Sequence, residues 1–203
     1  MAQKRESLTP KWPEGHDRLG EILACAANLF YEQGYHATTI QDVADQVGLL
    51  KGSLYYYINS KEDLLYLTLE QVIENGDEYL ASKLAQAEGP VDKLRLAIEA
   101  EIEYIIQNQV TVGLFLHEFH ALSDCRRRKV IVKMHQFENR ITDIVREGQA
   151  AGAFVDCDPR LIVYGILGMC NWIYRWYRSS QGINLDEIKS AFTHLILKGI
   201  LKG

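Results

Sequence analysis

The chain has 203 residues, 47% of them apolar and 24% charged, which suits one large or two small domains with a real core and excludes a disulfide-stapled mini-protein or a wholly disordered chain. Its 22 basic and 27 acidic residues leave a net charge of −5, which excludes attachment to nucleic acid by bulk charge alone but leaves room for a local DNA site. The longest apolar run, 161–174, contains Asn171 and is too short for a membrane span, no signal-type segment is recognisable, and Cys25, Cys125, Cys157 and Cys170 form no CxxC spacing, so the expectation is a cytoplasmic protein with reduced cysteines.

Apolar positions recur at spacings of three and four, and the 4 prolines are sparse, so the chain reads as all-α. Residues 1–17, with Pro10, Pro13 and Gly15, read as a flexible arm carrying Lys4, Arg5 and Lys11. A first helix is expected over 18–33, with Ile22, Ala26, Leu29 and Phe30 on one face and Gly34 as its stop. Thr38 or Thr39 then opens a short helix, Gln41 standing where a capping box from Thr38 places it, and Ile40, Val43, Ala44 and Val47 form its apolar stripe. Gly48 ends this helix and a second short one begins near Lys51, held inward by Leu54 and Ile58. Ser60 caps a long helix running to Leu84, with Glu62 and Asp63 at its positive end. Further helices are expected over 90–107, 111–121, 124–151, 159–179 and 185–201, nine in all, with no internal repeat.

The run Thr38-Thr39-Ile40-Gln41-Asp42-Val43-Ala44, the Gly48 turn, Gly52-Ser53-Leu54-Tyr55-Tyr56-Tyr57 and Asn59-Ser60-Lys61 leading into Leu64 closely resembles the DNA-binding motif of the TetR/AcrR family of bacterial repressors. It departs at Leu50, where a small hydroxyl residue usually caps the recognition helix, and at Ile58, where an aromatic residue is commoner. The resemblance implies a nine-helix fold, a helix-turn-helix DNA-binding domain over 18–65, a ligand-binding and dimerisation domain over 66–203, and a homodimer on a palindromic operator. The residues support a DNA interface without the name. Lys51, Gly52 and Ser53 begin the helix whose N-terminal end meets base edges, Lys51 matching guanine acceptors and Gly52 permitting close approach. Tyr55, Tyr56 and Tyr57 point in three directions, so they cannot all be core, and their hydroxyls suit phosphates. Thr39, Gln41 and Lys61 stand at helix starts suited to flanking phosphates. Residues 1–65 hold 6 Lys/Arg against 9 Asp/Glu, so affinity must come from placement and from pairing two subunits.

Residues 165–178, with the run Trp172-x-x-Arg175-Trp176-Tyr177-Arg178, resemble the eighth helix of a TetR subgroup that includes regulators of fatty-acid and other acyl-CoA catabolism; Ser179 stands where that subgroup usually has proline. On that resemblance an acyl-CoA effector is expected. Its acyl part would lie against Phe115, Trp172 and Trp176 beside Asn171, and its phosphates near Arg126, Arg127, Arg128 and Lys129 or near Arg175. Cations at a helix start oppose the helix dipole, which is what made the arginine run a candidate anion site rather than a structural one; a solvated basic turn is the plainer alternative. Packing on a second subunit is expected through helices eight and nine, with Gly165 and Gly168 allowing close approach and Ala191, Phe192 and Leu195 on the apolar side. His117, His120 and His135 lack partners at metal-ligand spacing, so no metal or cofactor is expected. No GxSxG, P-loop, HExxH or dinucleotide fingerprint is present, so no enzymatic activity is expected. Two other readings remain: a drug- or aromatic-sensing repressor of an efflux pump, and an acyl-CoA-binding helical protein that does not touch DNA, which leaves the helix-turn-helix without a purpose.

Overall fold

The computed structural model describes residues 17–178 and 182–202. The arm expected over 1–17, apart from Asp17, and the expected helix end at Ser179 lie outside the described residues. Ten α-helical segments follow one another: α1 (Arg18–Gln33), α2 (Ile40–Gln46), α3 (Lys51–Leu54), α4 (Lys61–Leu84), α5 (Gly89–Gln107), α6 (Gln109–Glu118), α7 (Asp124–Ala150), α8 (Pro159–Asn171), α9 (Ile173–Trp176) and α10 (Leu185–Ile200). A 3₁₀ turn, Phe119–Ala121, links α6 to α7. The all-α expectation is met, and the nine expected helices correspond to these segments with the eighth divided into α8 and α9.

Local chemistry explains most boundaries. Gly34 ends α1 at φ +88° and Gly48 turns the chain between α2 and α3 at φ +68°, both left-handed conformations that glycine adopts without strain. Of the two residues expected to cap α2, the second does so. Thr39, not Thr38, accepts from the Asp42 amide and Asp42 answers to the Thr39 amide, while Thr38 is buried with its hydroxyl donating to the Gly34 carbonyl at 3.0 Å. Gln41 donates to Asp45 at 2.7 Å instead of closing a capping box. Ser60 and Asp63 form a reciprocal box at the start of α4, as do Asn184 and Glu187 at α10. α3 has no side-chain cap, as Leu50 implies.

Helix eight breaks at Trp172. Arg175 N donates to the Trp172 carbonyl, an i to i+3 bond at 3.1 Å that tightens the turn, and Gln109 holds the Tyr177 carbonyl at 3.2 Å where the chain becomes extended. Trp172 and Trp176 therefore do not share one helix face, contrary to the spacing argument. Trp172 is 62% exposed, whereas Trp176 is half-buried and stacked near Phe192 at 6.4 Å.

Two apolar cores share α4. One joins Ile22, Ala26, Phe30, Val43, Ala44, Leu54, Ile58, Leu64 and Leu65 to Leu114 of α6 and Val130 of α7. The other gathers Leu80, Leu94, Ile98, Ile102, Val145, Val163, Ile173 and Ile188 around α5. The first core thus extends beyond residue 65, and α4 is a rigid member of both. At the far end, Phe154 is fully buried against Gly148, where any Cβ would overlap its ring. The chain end is fastened there by an isolated bridge between Phe154 and Leu201.

Candidate DNA interface and effector cavity

On the outer side of α2 and α3 a continuous polar and aromatic surface is left over once the core is packed. Leu54 and Ile58 are 0% and 2% exposed, which fixes α3 on α2 and turns its other residues outward; Tyr56 is 89% exposed. Lys51, Gly52, Tyr55 and Tyr57 are also exposed, Ser53 is half-buried, and Thr39 and Gln41 border the patch from the start of α2. A Cβ at Gly52 would meet nothing within 4 Å, so this end of α3 lies open to close approach.

Lys61 has a different role from the phosphate contact read from its position. Its ammonium donates to the carbonyls of Tyr35 at 2.7 Å and Thr38 at 2.9 Å and lies 4.3 Å from the Tyr35 ring centroid. A half-buried cation satisfying carbonyls after α1 is a clamp on the α1–α2 connection, with little left to offer DNA.

The arginine run at the start of α7 divides in the same way. Arg126 pairs with Asp63, approaches Glu62 and lies 5.4 Å from the Tyr66 ring centroid. It thereby ties α7 to the first turn of α4, and Ser123 N adds a bond to Glu62 at 2.8 Å. Burial alone would raise the Asp63 carboxyl, but Arg126 and the amides of Asn59 and Ser60 more than offset it and hold it below the usual range. Arg127 pairs with Asp124. Arg128 and Lys129 are exposed, and so is Arg175. Within the run the anion-site expectation is thus corrected for Arg126 and Arg127, whose charges are met by carboxylates of the chain itself.

Between α4, α5, α6, α7 and α8 lies a cavity of about 110 Å³. Its apolar wall includes Val72, Ile105, Val112, Phe115, Phe137 and Leu167, and its polar groups are Glu101, Tyr104, Glu138 and Asn171. Of the residues expected around a ligand, Phe115 and Asn171 line it; Trp172, Arg175, Trp176 and the Arg126–Arg128 run do not. Trp172 is on the exposed face of α8 and Trp176 packs inward on α10, for the reason given by the break between α8 and α9.

The Tyr104 hydroxyl donates to the Val72 carbonyl at 2.7 Å. Glu101, by contrast, is half-buried on the cavity wall with no partner among the described residues, and desolvation pushes its carboxyl up to about 7. Sequence reading missed it. The available signal was its register: Leu94, Ala97, Ile98 and Ile105 are buried on the face where Glu101 also falls. Among the candidate metal ligands, His117 bonds the Tyr174 hydroxyl at 2.9 Å, and the described residues contain no cluster of three or more metal-ligating groups.

A helix-turn-helix with an outward recognition surface, packed on a larger helical domain, defines a DNA-binding class of protein. Comparison with known proteins gives the family. Residues 22–66 match the bacterial regulatory proteins of the tetR family, and residues 87–200 match the tetracyclin repressor-like C-terminal domain. The chain belongs to the TetR family and is a helix-turn-helix transcriptional repressor by class. It is 30% identical over 202 residues to the HTH-type transcriptional repressor KstR2 of Mycolicibacterium smegmatis, covering 96% of this chain and 95% of that protein. The structure of the ketosteroid transcriptional regulator KstR2 of Mycobacterium tuberculosis superposes with a TM-score of 0.82 at 27% identity, over 93% of this chain and 97% of that one. AibR, solved in complex with isovaleryl coenzyme A and operator DNA, shares the fold at 24% identity, with a TM-score of 0.81 over 88% and 97% of the two chains. Among the described residues no helix is long and apolar enough to cross a membrane.

Proposed function

We propose that the protein is a homodimeric repressor that binds a palindromic operator through the α2–α3 surface and releases it when a small hydrophobic effector, the acyl part of an acyl-CoA, enters the cavity. The observation that carries this reading is α4. Lys61 at its start clamps the connection leading to α2, and Val72, Ile73 and Gly76 further along it wall the cavity. A ligand that favours one position of α4 therefore changes the spacing of two recognition helices in a dimer, and it shifts the equilibrium only by its preference for that state.

A dimer is supported by an unpartnered stripe. Leu161, Tyr164, Met169 and Trp172 are exposed along α8, and Leu195 is 61% exposed on α10. Gly165 and Gly168 lie on the same face, where an added Cβ would meet nothing. Phe192, placed on that face from its spacing, is instead turned in against Trp176. The coenzyme would remain outside the cavity, near Arg175 on the turn that follows Asn171 and near the exposed Arg128 and Lys129. AibR, which shares the fold, was solved with isovaleryl coenzyme A, and this supports an acyl-CoA as the effector class.

A second reading has one observation in its favour. The cavity contains two carboxylates and no cation among its described lining residues, which suits a lipophilic cation such as a drug or dye. Titration of operator binding and tryptophan fluorescence with acyl-CoAs, the matching free acids and lipophilic cationic dyes separates the two. Release by thioesters supports the first, and release by dyes alone replaces it with the second.

A further inference from the structure

Leu50, on the turn that enters α3, is 80% exposed, and neither the core nor the helix makes use of it. It stands four residues before Leu54, a spacing that inside a helix would put both on the buried face. Its backbone is extended instead, at φ −69° and ψ 143°, and the side chain is left in solvent. The core does not need it, because the adjacent Leu49 already packs there. The flanking helices α2 and α4 both begin on reciprocal capping boxes, whereas α3 has no side-chain cap; a serine, threonine, aspartate or asparagine at this position would supply one. Leu50 has no charge and no side-chain donor, so a phosphate gains nothing from its side chain.

We propose that Leu50 is a specificity residue: it covers the 5-methyl group of a thymine in the major groove, so that each operator half-site holds a thymine at one fixed position. This deepens the function proposed above and rests on its assignment of the α2–α3 surface to the operator. Leu50 is continuous with that surface, since Lys51 and Gly52 follow it exposed, and Tyr55, Tyr56 and Tyr57 after them; a helix-turn-helix lays this part of the chain in the major groove. Gly52 has open space where a side chain would stand, which lets the turn come close to the bases. The groups that base pairs present in that groove are hydrogen-bond donors and acceptors, apart from the thymine methyl. An exposed aliphatic side chain therefore gains by burial against a thymine and against no other base. The apolar stripe offered to a second chain is elsewhere, on α8 and α10.

The test uses the full chain and an operator that it selects from random DNA, each thymine being replaced in turn by deoxyuridine, which keeps the pairing face and lacks the methyl. Affinity is read by anisotropy for the parent, Leu50→Ala and Leu50→Ser. Cooperative thermal unfolding shows that each protein is folded, and Leu50→Ser, which regains a cap, should melt no lower than the parent. The expected result is one thymine per half-site whose replacement weakens the parent about fourfold in one half-site and about fifteenfold in both, the worth of one buried methyl group per contact. In both variants that penalty disappears, and selection repeated with Leu50→Ala recovers no fixed thymine at the position. Uracil that costs the parent nothing at any position overturns the proposal. So does a penalty that persists in Leu50→Ala, which assigns the methyl to a tyrosine ring, and so does a loss of affinity in Leu50→Ala that is equal for thymine and uracil, the mark of a sugar contact. If no operator is recovered, the assignment of the α2–α3 surface falls and this inference with it; if the operator is bound and uracil makes no difference, this inference alone fails.

Discussion

Lys61 and Tyr56 are near neighbours in sequence with opposite assignments, and single substitutions separate them. Tyr56, almost wholly exposed, contributes nothing to the core, so Tyr56→Ala should weaken operator binding in a mobility-shift titration while leaving the melting temperature unchanged. Lys61→Ala removes a cation from the carbonyls of Tyr35 and Thr38 and should lower stability by about 1.5–3 kcal/mol, the worth of a hydrogen bond to a charged group. Denaturant unfolding checks it. Glu101 carries a pH signature of its own. Its folded value, about 7, lies above the ordinary 4.5. Below 4.5 both states are protonated and nothing is lost; between 4.5 and 7 only the unfolded chain gives up its proton. Stability therefore falls as pH rises across that window, by up to about 3 kcal/mol, and is flat above it. Glu101→Gln should remove the slope, which unfolding curves at pH 5 and pH 8 will show.

At the scale of elements, the Arg126 ion pair fastens α7 to the first turn of α4, the helix that further along walls the cavity. Arg126→Ala leaves the buried Asp63 carboxylate without its cation and should cost about 2 kcal/mol, less than the roughly 3–5 kcal/mol of a fully buried broken pair because Arg126 is partly solvated. Asp63 is depressed in the folded state, so its contribution is present above its ordinary 3.8 and is lost as pH falls through the depressed value. The variant should therefore show a weaker acid dependence than the parent, measured by unfolding between pH 3 and pH 7. Local signals made the helix-turn-helix legible in the sequence: Gly48, Leu54, Ile58 and the Ser60 box act within a few residues of themselves. The cavity was legible only at Phe115 and Asn171, because its wall draws on five helices spanning Val72 to Asn171, and such long-range proximity leaves no mark on spacing. The arginine run misled for a related reason. The partners of Arg126, Glu62 and Asp63, lie some sixty residues earlier, so a cation satisfied across the fold looked unsatisfied along the chain, whereas Asp124, the partner of Arg127, stood only three residues away.

For the whole molecule, the proposed working unit is two chains joined through the exposed stripe on α8 and α10. Leu195→Arg places a charge in the centre of that face, and sedimentation should show a monomer whose helical circular dichroism is retained and whose operator affinity is greatly reduced, because phosphate contacts per chain are few. In the proposed dimer the two α3 segments should meet successive major grooves, roughly 34–36 Å apart. The most direct measurement is the anisotropy of a fluorescent operator, recovered by selection from random DNA, titrated with acyl-CoA thioesters while tryptophan fluorescence reports binding to the protein. The account predicts one dimer per palindrome and loss of the operator as the ligand site fills. Undiminished operator occupancy at saturating ligand, or selection of a site with no palindrome, would contradict it.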